Sequence, residues 1–192
     1  HPYNPLLSSL PRLIHAQRIA DGWLAQFPRQ AIAESQGGRV GSETMLTRLA
    51  ELMFIEVLRR YVEELPSQQI GWLAGLRDPV VGQALAQLHE RPAHPWTLAE
   101  LAHAVAASRT VVAERFTRLV GLPPMTYLTQ WRLQLAAERL ASGAAKVATI
   151  ADEVGYESEA AFSRAFKRAT GTSPAAWRRA RQGEPRGAAQ VA

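Results

Sequence analysis

The sequence contains no cysteine, and this absence removes several kinds of chemistry. Without a thiol the chain forms no disulfide, and it offers neither a thiolate metal ligand nor a cysteine nucleophile. No apolar run approaches the ~20 residues that a membrane-spanning helix needs, and the first residues lack the charged and apolar regions of a signal peptide. These absences agree with a reducing compartment and no membrane, so we expect a cytoplasmic protein.

Residue patterns typical of enzymes are also missing. The chain has no Gly-rich phosphate loop, no nucleophile elbow and no pair of catalytic carboxylates. His89 and His94 resemble a zinc-binding pair, but they stand five residues apart with Pro92 between them, whereas a zinc-binding helix places two histidines four apart. A loop with two surface histidines is the preferred interpretation, and His103 is alone on the next predicted helix. We therefore expect no enzyme, no metal and no cofactor.

Positive charge is unevenly distributed along the 192 residues, which are enough for one or two domains with a sizeable core. Residues 1–93 carry nine basic and nine acidic residues, whereas residues 94–192 carry thirteen basic and eight acidic ones. This segregation indicates an acidic partner for the second half. Of the 22 basic residues, 20 are arginine, which suits bidentate contacts to phosphate and guanine but follows equally from coding composition.

Residues 155–168 predict a tight turn followed by a short helix. The hydroxyl of Ser158 can accept a hydrogen bond from a backbone N–H one turn ahead, and Gly155 permits a sharp turn after a shorter helix at 149–154. This arrangement is typical of a helix-turn-helix, although the pattern alone is equally consistent with a core helix that has a solvated charged face. The predicted packing face holds Ala161, Phe162, Ala165, Phe166 and Ala169, and the predicted DNA-binding residues are Ser158, Glu159, Ala160, Ser163, Arg164, Lys167 and Arg168.

An internal repeat favours the DNA-binding interpretation. Six residues of the second copy have a counterpart of similar chemistry fifty residues earlier. The residues of the second copy are Ser158, Phe162, Phe166, Gly171, Pro174 and Trp177, and their counterparts, in the same order, are Ser108, Val112, Phe116, Gly121, Pro124 and Tyr127. Before the turn the offset is forty-nine, so the second copy carries one additional turn residue. Two copies of one helix-turn-helix are the simplest explanation.

The first copy has its own helix signals. Thr97 and Glu100 form a capping box at the start of its first helix. Its second helix is predicted near residues 108–120, with Val112, Phe116 and Leu119 facing inward. The predicted DNA-binding residues on its outer face are Arg109, Thr110, Ala113, Glu114 and Thr117.

The second copy resembles the signature of AraC/XylS-type transcription regulators. The matching residues are Ile150, Ala151, Gly155, Tyr156, Ser158, Phe162, Arg164, Phe166, Lys167, Gly171, Pro174, Trp177 and Arg178. The resemblance covers roughly residues 78–181, and it implies a DNA-binding domain of two helix-turn-helix units joined by a long helix. A second resemblance, carried by His1-Pro2, Leu6-Leu7, Leu10-Pro11 and Gly71-Trp72-Leu73, implies that a cupin-like sensing domain is missing from this chain, which we expect to be a fragment.

Two residues of the first copy depart from the family pattern. Ala106 stands where a turn glycine is usual, which predicts a slightly different turn. Glu114 stands at the position that Arg164 occupies in the second copy. A glutamate can accept a hydrogen bond from cytosine N4 but repels phosphates, so the two copies are expected to bind DNA differently.

The first 70 residues predict a helical segment for assembly. Residues 1–11 carry three prolines and suit an extended arm or the end of a missing sheet domain, and 13–33 have helical potential that is broken at Pro28. After a loop at 36–41, a long helix is predicted over 42–65, with apolar residues around much of its circumference. Such a helix is either the covered centre of a bundle within the chain or a dimer seam, and the two are not exclusive. The candidate dimer contacts are Leu49, Met53 and Tyr61.

We therefore predict an all-α protein with residues 1–70 as a helical linker and assembly segment, 78–181 as a double helix-turn-helix domain and 182–192 as a flexible tail. Asp78-Pro79 starts a helix to about Glu90. The connecting helix, about 27 Å long at ~1.5 Å per residue, is comparable with the ~34 Å between successive major-groove faces. The recognition helices near 108–120 and 158–170 are thus expected to enter adjacent major grooves.

The expected function is sequence-specific binding of double-stranded promoter DNA and regulation of transcription. RNA polymerase is a further candidate partner, and a homodimer through helix 42–65 is the candidate assembly. One alternative is a sequence-tolerant DNA-compaction protein, which basic tails and an excess of lysine would favour. Another is a protein-interaction module that contacts the transcription machinery instead of DNA.

Overall fold

The computed structural model describes residues 9–14, 26–65, 71–143 and 145–182, and these residues contain helices and no strand. The predicted all-α fold is confirmed. Residues 183–192 of the proposed tail, most of the proposed N-terminal arm and residues 15–25 of the first predicted helix lie outside the described residues, whereas Gln182 is the last residue of a helix. The helices are α1 (Gln26–Gln36), α2 (Ser42–Glu64), α3 (Trp72–Arg77), α4 (Pro79–Glu90), α5 (Leu98–Ala104), α6 (Arg109–Val120), α7 (Pro124–Ser142), α8 (Val147–Glu153), α9 (Glu159–Thr170) and α10 (Pro174–Gln182).

The chain divides into two compact parts, one of residues 10–69 and one that contains residues 70–192 together with 1–9. The N-terminal part contains α1 and α2, and the C-terminal part contains α3 to α10. Within the C-terminal part, α5 and α6 form the first helix-turn-helix unit, and α8 and α9 form the second. None of the helices in the described ranges combines the length and apolar character that crossing a lipid bilayer requires.

In the N-terminal part, α1 packs against α2. Helix α1 includes Pro28 and continues to Gln36, and the residues before Gln26, where the helix before the predicted break would lie, are outside the described ones. Pro28 lies in the first turn of α1, where a helix leaves its backbone N–H groups unpaired and a proline therefore costs no hydrogen bond. The hydroxyl of Ser42 at the start of α2 donates to Glu34 Oε1 at 2.7 Å, which provides a partner for this buried carboxylate.

Helix α2 was predicted over 42–65 and is observed at Ser42–Glu64. None of its residues is buried, and the segment that was expected to cover α2 lies largely outside the described residues, so the interpretation of α2 as the centre of a bundle stays a prediction. The candidate dimer contacts Leu49, Met53 and Tyr61 are only partly exposed. The large apolar side chains that α2 exposes are instead Met45, Leu52, Phe54 and Ile55.

Helix α3 was not predicted from the sequence. It ends at Arg77, and Asp78 then caps α4 by accepting hydrogen bonds from the backbone N–H groups of Val80 and Val81 at 3.0 Å each. The N–H of Gly71, directly before α3, donates to the carbonyl of Leu119 in α6 at 3.0 Å. Contacts with α6, rather than local helix signals, therefore hold α3 in place.

The C-terminal part has two apolar cores, and α7 contributes to both. Residues from its first half, including Tyr127 and Leu128, pack with α4, α5 and α6. Residues from its second half pack with α8 and α9. The internal repeat extends to this packing, because Val81, Ala84, Leu85 and Leu88 of α4 correspond at a constant offset to Leu133, Ala136, Ala137 and Leu140 of α7, and all eight are buried.

Candidate nucleic-acid interface

Helix α9 presents the predicted recognition face of the second unit. Ser158 caps it, with its Oγ accepting from the N–H of Ala161 at 3.2 Å. Phe162 and Phe166 are fully buried and fix the orientation of the helix. Of the predicted DNA-binding residues, Ser163 is partly buried, and the exposed ones are Ser158, Glu159, Ala160, Arg164, Lys167 and Arg168.

Helix α6 presents the equivalent face of the first unit. Ser108 caps it by accepting from the N–H of Val111 at 3.2 Å, and Val112 and Phe116 are fully buried. Arg115 lies 3.6 Å from the carboxylate of Asp78 and is thus directed towards α4. Of the predicted DNA-binding residues, Ala113 is partly buried, and Arg109, Thr110, Glu114 and Thr117 are exposed.

The two exposed faces differ in charge. In the second unit Arg164 and Lys167 lie on the outer face of α9. The equivalent residues of α6 are Glu114 and Thr117, so two cations are replaced by an anion and a neutral residue. Arg164 and Lys167 attract a polyanion, whereas Glu114 and Thr117 do not. The electrostatic attraction for DNA is therefore concentrated on α9.

The turns of the two units have a left-handed residue at the equivalent position, and the second turn is one residue longer. Ala106 has a φ of 50° and Gly155 a φ of 84°, so both are left-handed. The hydrogen bonds also match, because the N–H groups of Ala107 and Tyr156, the residues after these two, reach back into α5 and α8 at 3.0 and 2.9 Å. The expectation of a different turn at Ala106 is therefore wrong for the backbone conformation at this position. The same tertiary fold imposes the left-handed conformation on alanine at some cost in strain.

A groove of about 520 Å³ lies between α7 and α9. Ala169 lines it and is exposed, so the prediction that this alanine belongs to the packed stripe is wrong. In the first unit, the short helix α3 packs against α6. The second unit has no separate short helix in that place, because the equivalent residues are the first turns of the continuous helix α7. The groove is lined by Met125, Thr126, Thr129, Gln130, Leu133, Ala165, Arg168 and Ala169.

His89 was expected in a surface loop, and this prediction is wrong. It lies in α4, where its ring stacks on Trp131 with centroids 4.2 Å apart, and its Nε2 is 2.7 Å from the hydroxyl of Tyr127. Trp72 Nε1 donates to the same hydroxyl at 2.9 Å. The hydroxyl oxygen of Tyr127 thus accepts from Trp72, and its own proton can be donated to Nε2 of a neutral His89 imidazole. Burial lowers the pKa of His89 to about 4. The partners come from α3 and α7, so no local pattern indicated them.

Arg132 in the middle of α7 was not identified from the sequence. Its guanidinium donates to the carbonyl oxygens of Pro92 at 2.7 Å, His94 at 2.8 Å and Gly155 at 3.2 Å. The only sequence signal was its position, a charged residue in the middle of the predicted connecting helix. Among the described residues, no cluster of histidine, aspartate or glutamate has the composition of a metal site.

Two sequence families match the chain. A family described as a helix-turn-helix domain matches residues 101–180, and a family described as cupin matches residues 1–63. The first match covers both units and α7. The second match places a cupin-family segment within the chain, so the expectation that a cupin-like domain is missing from it is wrong for residues 1–63.

Curated relatives extend over nearly the whole chain. One from Streptomyces antibioticus, named an AraC-like transcription regulator, is 44% identical over 181 residues, which are 93% of this chain and 60% of the relative. One of the same name from Streptomyces lividans is 43% identical over 176 residues, 91% of this chain and 58% of the relative. The chain thus spans about 60% of the length of these relatives.

A solved structure matches the C-terminal part. It is the DNA-binding domain of AdpA, described as a global transcriptional factor, in complex with a target DNA. It aligns with a TM-score of 0.54 and 31% identity over 57% of this chain and 99% of that domain. Because that domain is matched over almost its whole length at this identity, the chain belongs to the AraC-type family of helix-turn-helix transcription regulators.

Proposed function

We propose that this protein binds promoter DNA sequence-specifically through α6 and α9 and thereby regulates transcription. The observation that carries the proposal is the pair of capped helices on one connecting helix, each with two buried residues behind an exposed polar face. Buried residues fix each helix, and the exposed face is then free to enter a major groove.

Helix α7 sets the separation of the two faces. Its 19 residues correspond to about 28 Å at ~1.5 Å per residue, which suits successive major-groove faces ~34 Å apart. We place α6 and α9 in adjacent major grooves on one side of the duplex. Arg109, Thr110, Ala113, Glu114 and Thr117 would contact the first groove, and Ser158, Glu159, Ala160, Ser163, Arg164, Lys167 and Arg168 the second.

Within α9 we assign a base edge to Arg164, and phosphates to Lys167 and Arg168. The planar guanidinium of Arg164 suits the two acceptors of guanine, whereas the ammonium of Lys167 acts as a point charge. Arg164→Ala should therefore cost about 1–3 kcal/mol of binding and relax specificity, while Lys167→Ala should weaken all sequences alike and lower the salt slope by about 1. Binding is measured on an operator selected from a random DNA pool and on random DNA, at several salt concentrations.

Arg179→Ala is the matched control, because Arg179 is exposed on α10 and outside both proposed faces. It removes one positive charge and should change neither base preference nor the ranking of operators. Equal losses on selected and random DNA for Arg164→Ala would contradict its assignment to a base edge. A chain that selects no sequence from the pool would contradict the proposed function as a whole.

Assembly and regulation form the finer part of the proposal. The exposed apolar residues of α2 suit a contact with a second copy of the chain, and we propose a homodimer through this helix. A protein that acts on promoter DNA works beside RNA polymerase in the cytoplasm, and a contact with the polymerase is part of the proposal. Transcription from the selected operator with purified polymerase tests that contact and gives the sign of regulation.

A further inference from the structure

Arg132 links the two helix-turn-helix units through backbone atoms. Its Nε donates to Pro92 O and its Nη2 to His94 O, both in the loop that leads from α4 into α5. Its Nη1 donates to Gly155 O, in the turn between α8 and α9. One side chain on the connecting helix thus holds the entry loop of the first unit and the turn of the second.

The guanidinium of Arg132 forms its hydrogen bonds with these backbone carbonyl oxygens. It is partly buried, and within the described part of the chain no carboxylate forms an ion pair with it. Burial lowers the pKa of Arg132 below its usual value. Hydrogen bonds from a charged donor are stronger than neutral ones, so replacement of this side chain removes three charge-assisted hydrogen bonds that hold segments of both units.

The same two segments also touch directly. A Cβ atom on Gly155 would lie 2.6 Å from the carbonyl oxygen of Ala93 and 2.7 Å from its Cα. The backbone of the entry loop therefore fits against the turn of the second unit where no side chain stands between them. At the equivalent position of the first unit, Ala106 is exposed.

A change in the distance between the two DNA sub-sites would disrupt the contacts of Arg132 and of Gly155 between the two units. One added base pair between two contacted sites moves one unit by about 3.4 Å along the duplex and about 34° around it. A hydrogen bond of 2.7 Å, such as that from Arg132 to Pro92, does not survive a displacement of that size. The units can follow altered DNA spacing only after the contacts of Arg132 break.

We propose that Arg132 is a positioning residue that fixes the separation and rotation of α6 and α9, and so makes the protein selective for one spacing between its two DNA sub-sites. The proposal rests on the proposed DNA-binding function. Arg132 itself contacts no base in this account, and it acts through the relative position of the two recognition helices.

The first test measures binding of the full chain to the selected operator and to the same operator with one base pair inserted between its sub-sites. The wild-type protein should lose about 100-fold in affinity on insertion, because the base contacts of one unit are lost. For Arg132→Met the insertion should cost less than about tenfold, since the second unit can then move with its sub-site. Arg132→Lys, which keeps the charge but not the planar fork, should fall between them.

Arg139→Gln is the control on the same helix. Arg139 is exposed and pairs with Glu153 of α8, so it joins α7 to the second unit only. This variant should retain the wild-type penalty for insertion. A general loss of folded protein lowers the affinity for both operators equally, so the ratio of the two affinities reports the spacing preference alone. Equal penalties in wild type and Arg132→Met overturn the proposal.

A second measurement separates this inference from the proposed function, because it needs no DNA. The chain has no cysteine, so spin labels can be placed at Arg118→Cys in α6 and Ala169→Cys in α9, both exposed. The distance distribution between the labels should be narrow in the wild-type background and broad with Arg132→Met. If Arg132→Met leaves the distance distribution unchanged, the inference is overturned. It is also overturned if Arg132→Met broadens the distribution but does not reduce the loss of affinity caused by the inserted base pair. Failure to select any operator contradicts the proposed function and the spacing role together.

Discussion

Ala106 and Gly155 are the left-handed residues of the turns in the two units, and Gly155 also lies directly against the backbone of Ala93. The oxygen of Ala93 occupies the space that a side chain at residue 155 would need. Glycine is thus required in the second turn for both conformation and space. In the first turn, alanine is strained but not obstructed, because Ala106 is exposed.

This relationship predicts opposite effects of exchanging the two residues. Gly155→Ala should destabilise the protein by about 3 kcal/mol, since a left-handed alanine is combined with a backbone clash. Ala106→Gly should stabilise it by about 0.5–1 kcal/mol, because relief of strain exceeds the entropy cost of glycine. Urea unfolding of the two variants and the wild type measures both. A destabilising Ala106→Gly would show that the left-handed alanine carries no strain.

His89 predicts a dependence of stability on pH. Its pKa is lowered to about 4 by burial, compared with 6.5 for a free imidazole. Between these values the unfolded chain binds a proton that the folded chain does not, so stability falls as the pH drops from 6.5 towards 4 and levels off below it. After allowance for partial exposure, the loss is about 2 kcal/mol.

The check is urea unfolding of wild type and His89→Gln at pH 7 and pH 4.5. The glutamine can still accept from Tyr127 but does not titrate, so its loss of stability at low pH should be smaller. His103→Gln, at an exposed site on α5, serves as the control and should follow the wild type. Identical pH dependence in all three proteins would show that His89 is not responsible.

Features specified by local sequence were predicted well. The caps at Ser108 and Ser158, the capping box at Thr97 and the start of α4 at Asp78 depend on residues within one turn of each other. The buried phenylalanines follow from helical periodicity. These local signals, repeated at offsets of forty-nine and fifty residues, predicted the two helix-turn-helix units of the C-terminal part.

Features that depend on distant partners were missed. The bonds of Arg132 join residues 23 to 40 positions apart, and the ring of His89 meets an aromatic side chain on α7. Helix α3 has only six residues and is held by α6, so its own sequence carries little signal. The strained turn at Ala106 likewise reflects the fold around it, because alanine on its own disfavours a positive φ.

The exposed face of α2 predicts self-association. Leu52 has 48% of its surface exposed and Ile55 has 45%, so a charge there should weaken a dimer. Leu52→Glu should weaken the dimer at least tenfold in sedimentation equilibrium. Ala50→Glu is the matched control, because residues two apart on a helix point in different directions. A wild-type protein that stays monomeric at high concentration would remove the proposed dimer.

The difference between Glu114 and Arg164 predicts unequal contributions from the two units. Both residues are exposed, and each stands two positions before a fully buried phenylalanine. Arg164 can gain a charge-assisted contact to phosphate or guanine. Glu114 gains only where a cytosine amino group is within reach, and elsewhere it is repelled by phosphate. The second unit should therefore supply the larger share of nonspecific affinity.

Glu114→Arg tests this difference directly. It should strengthen binding to generic DNA and steepen the salt dependence by about 0.9 for each additional phosphate neutralised, while the preference for the selected operator at the base facing residue 114 declines. Glu90→Arg makes the same change of charge at an exposed site at the end of α4, away from both recognition helices, and should leave base preference unaltered. If Glu114→Arg changes neither affinity, salt slope nor base preference, α6 does not enter the groove as proposed, and the DNA contacts of this protein belong to α9 alone.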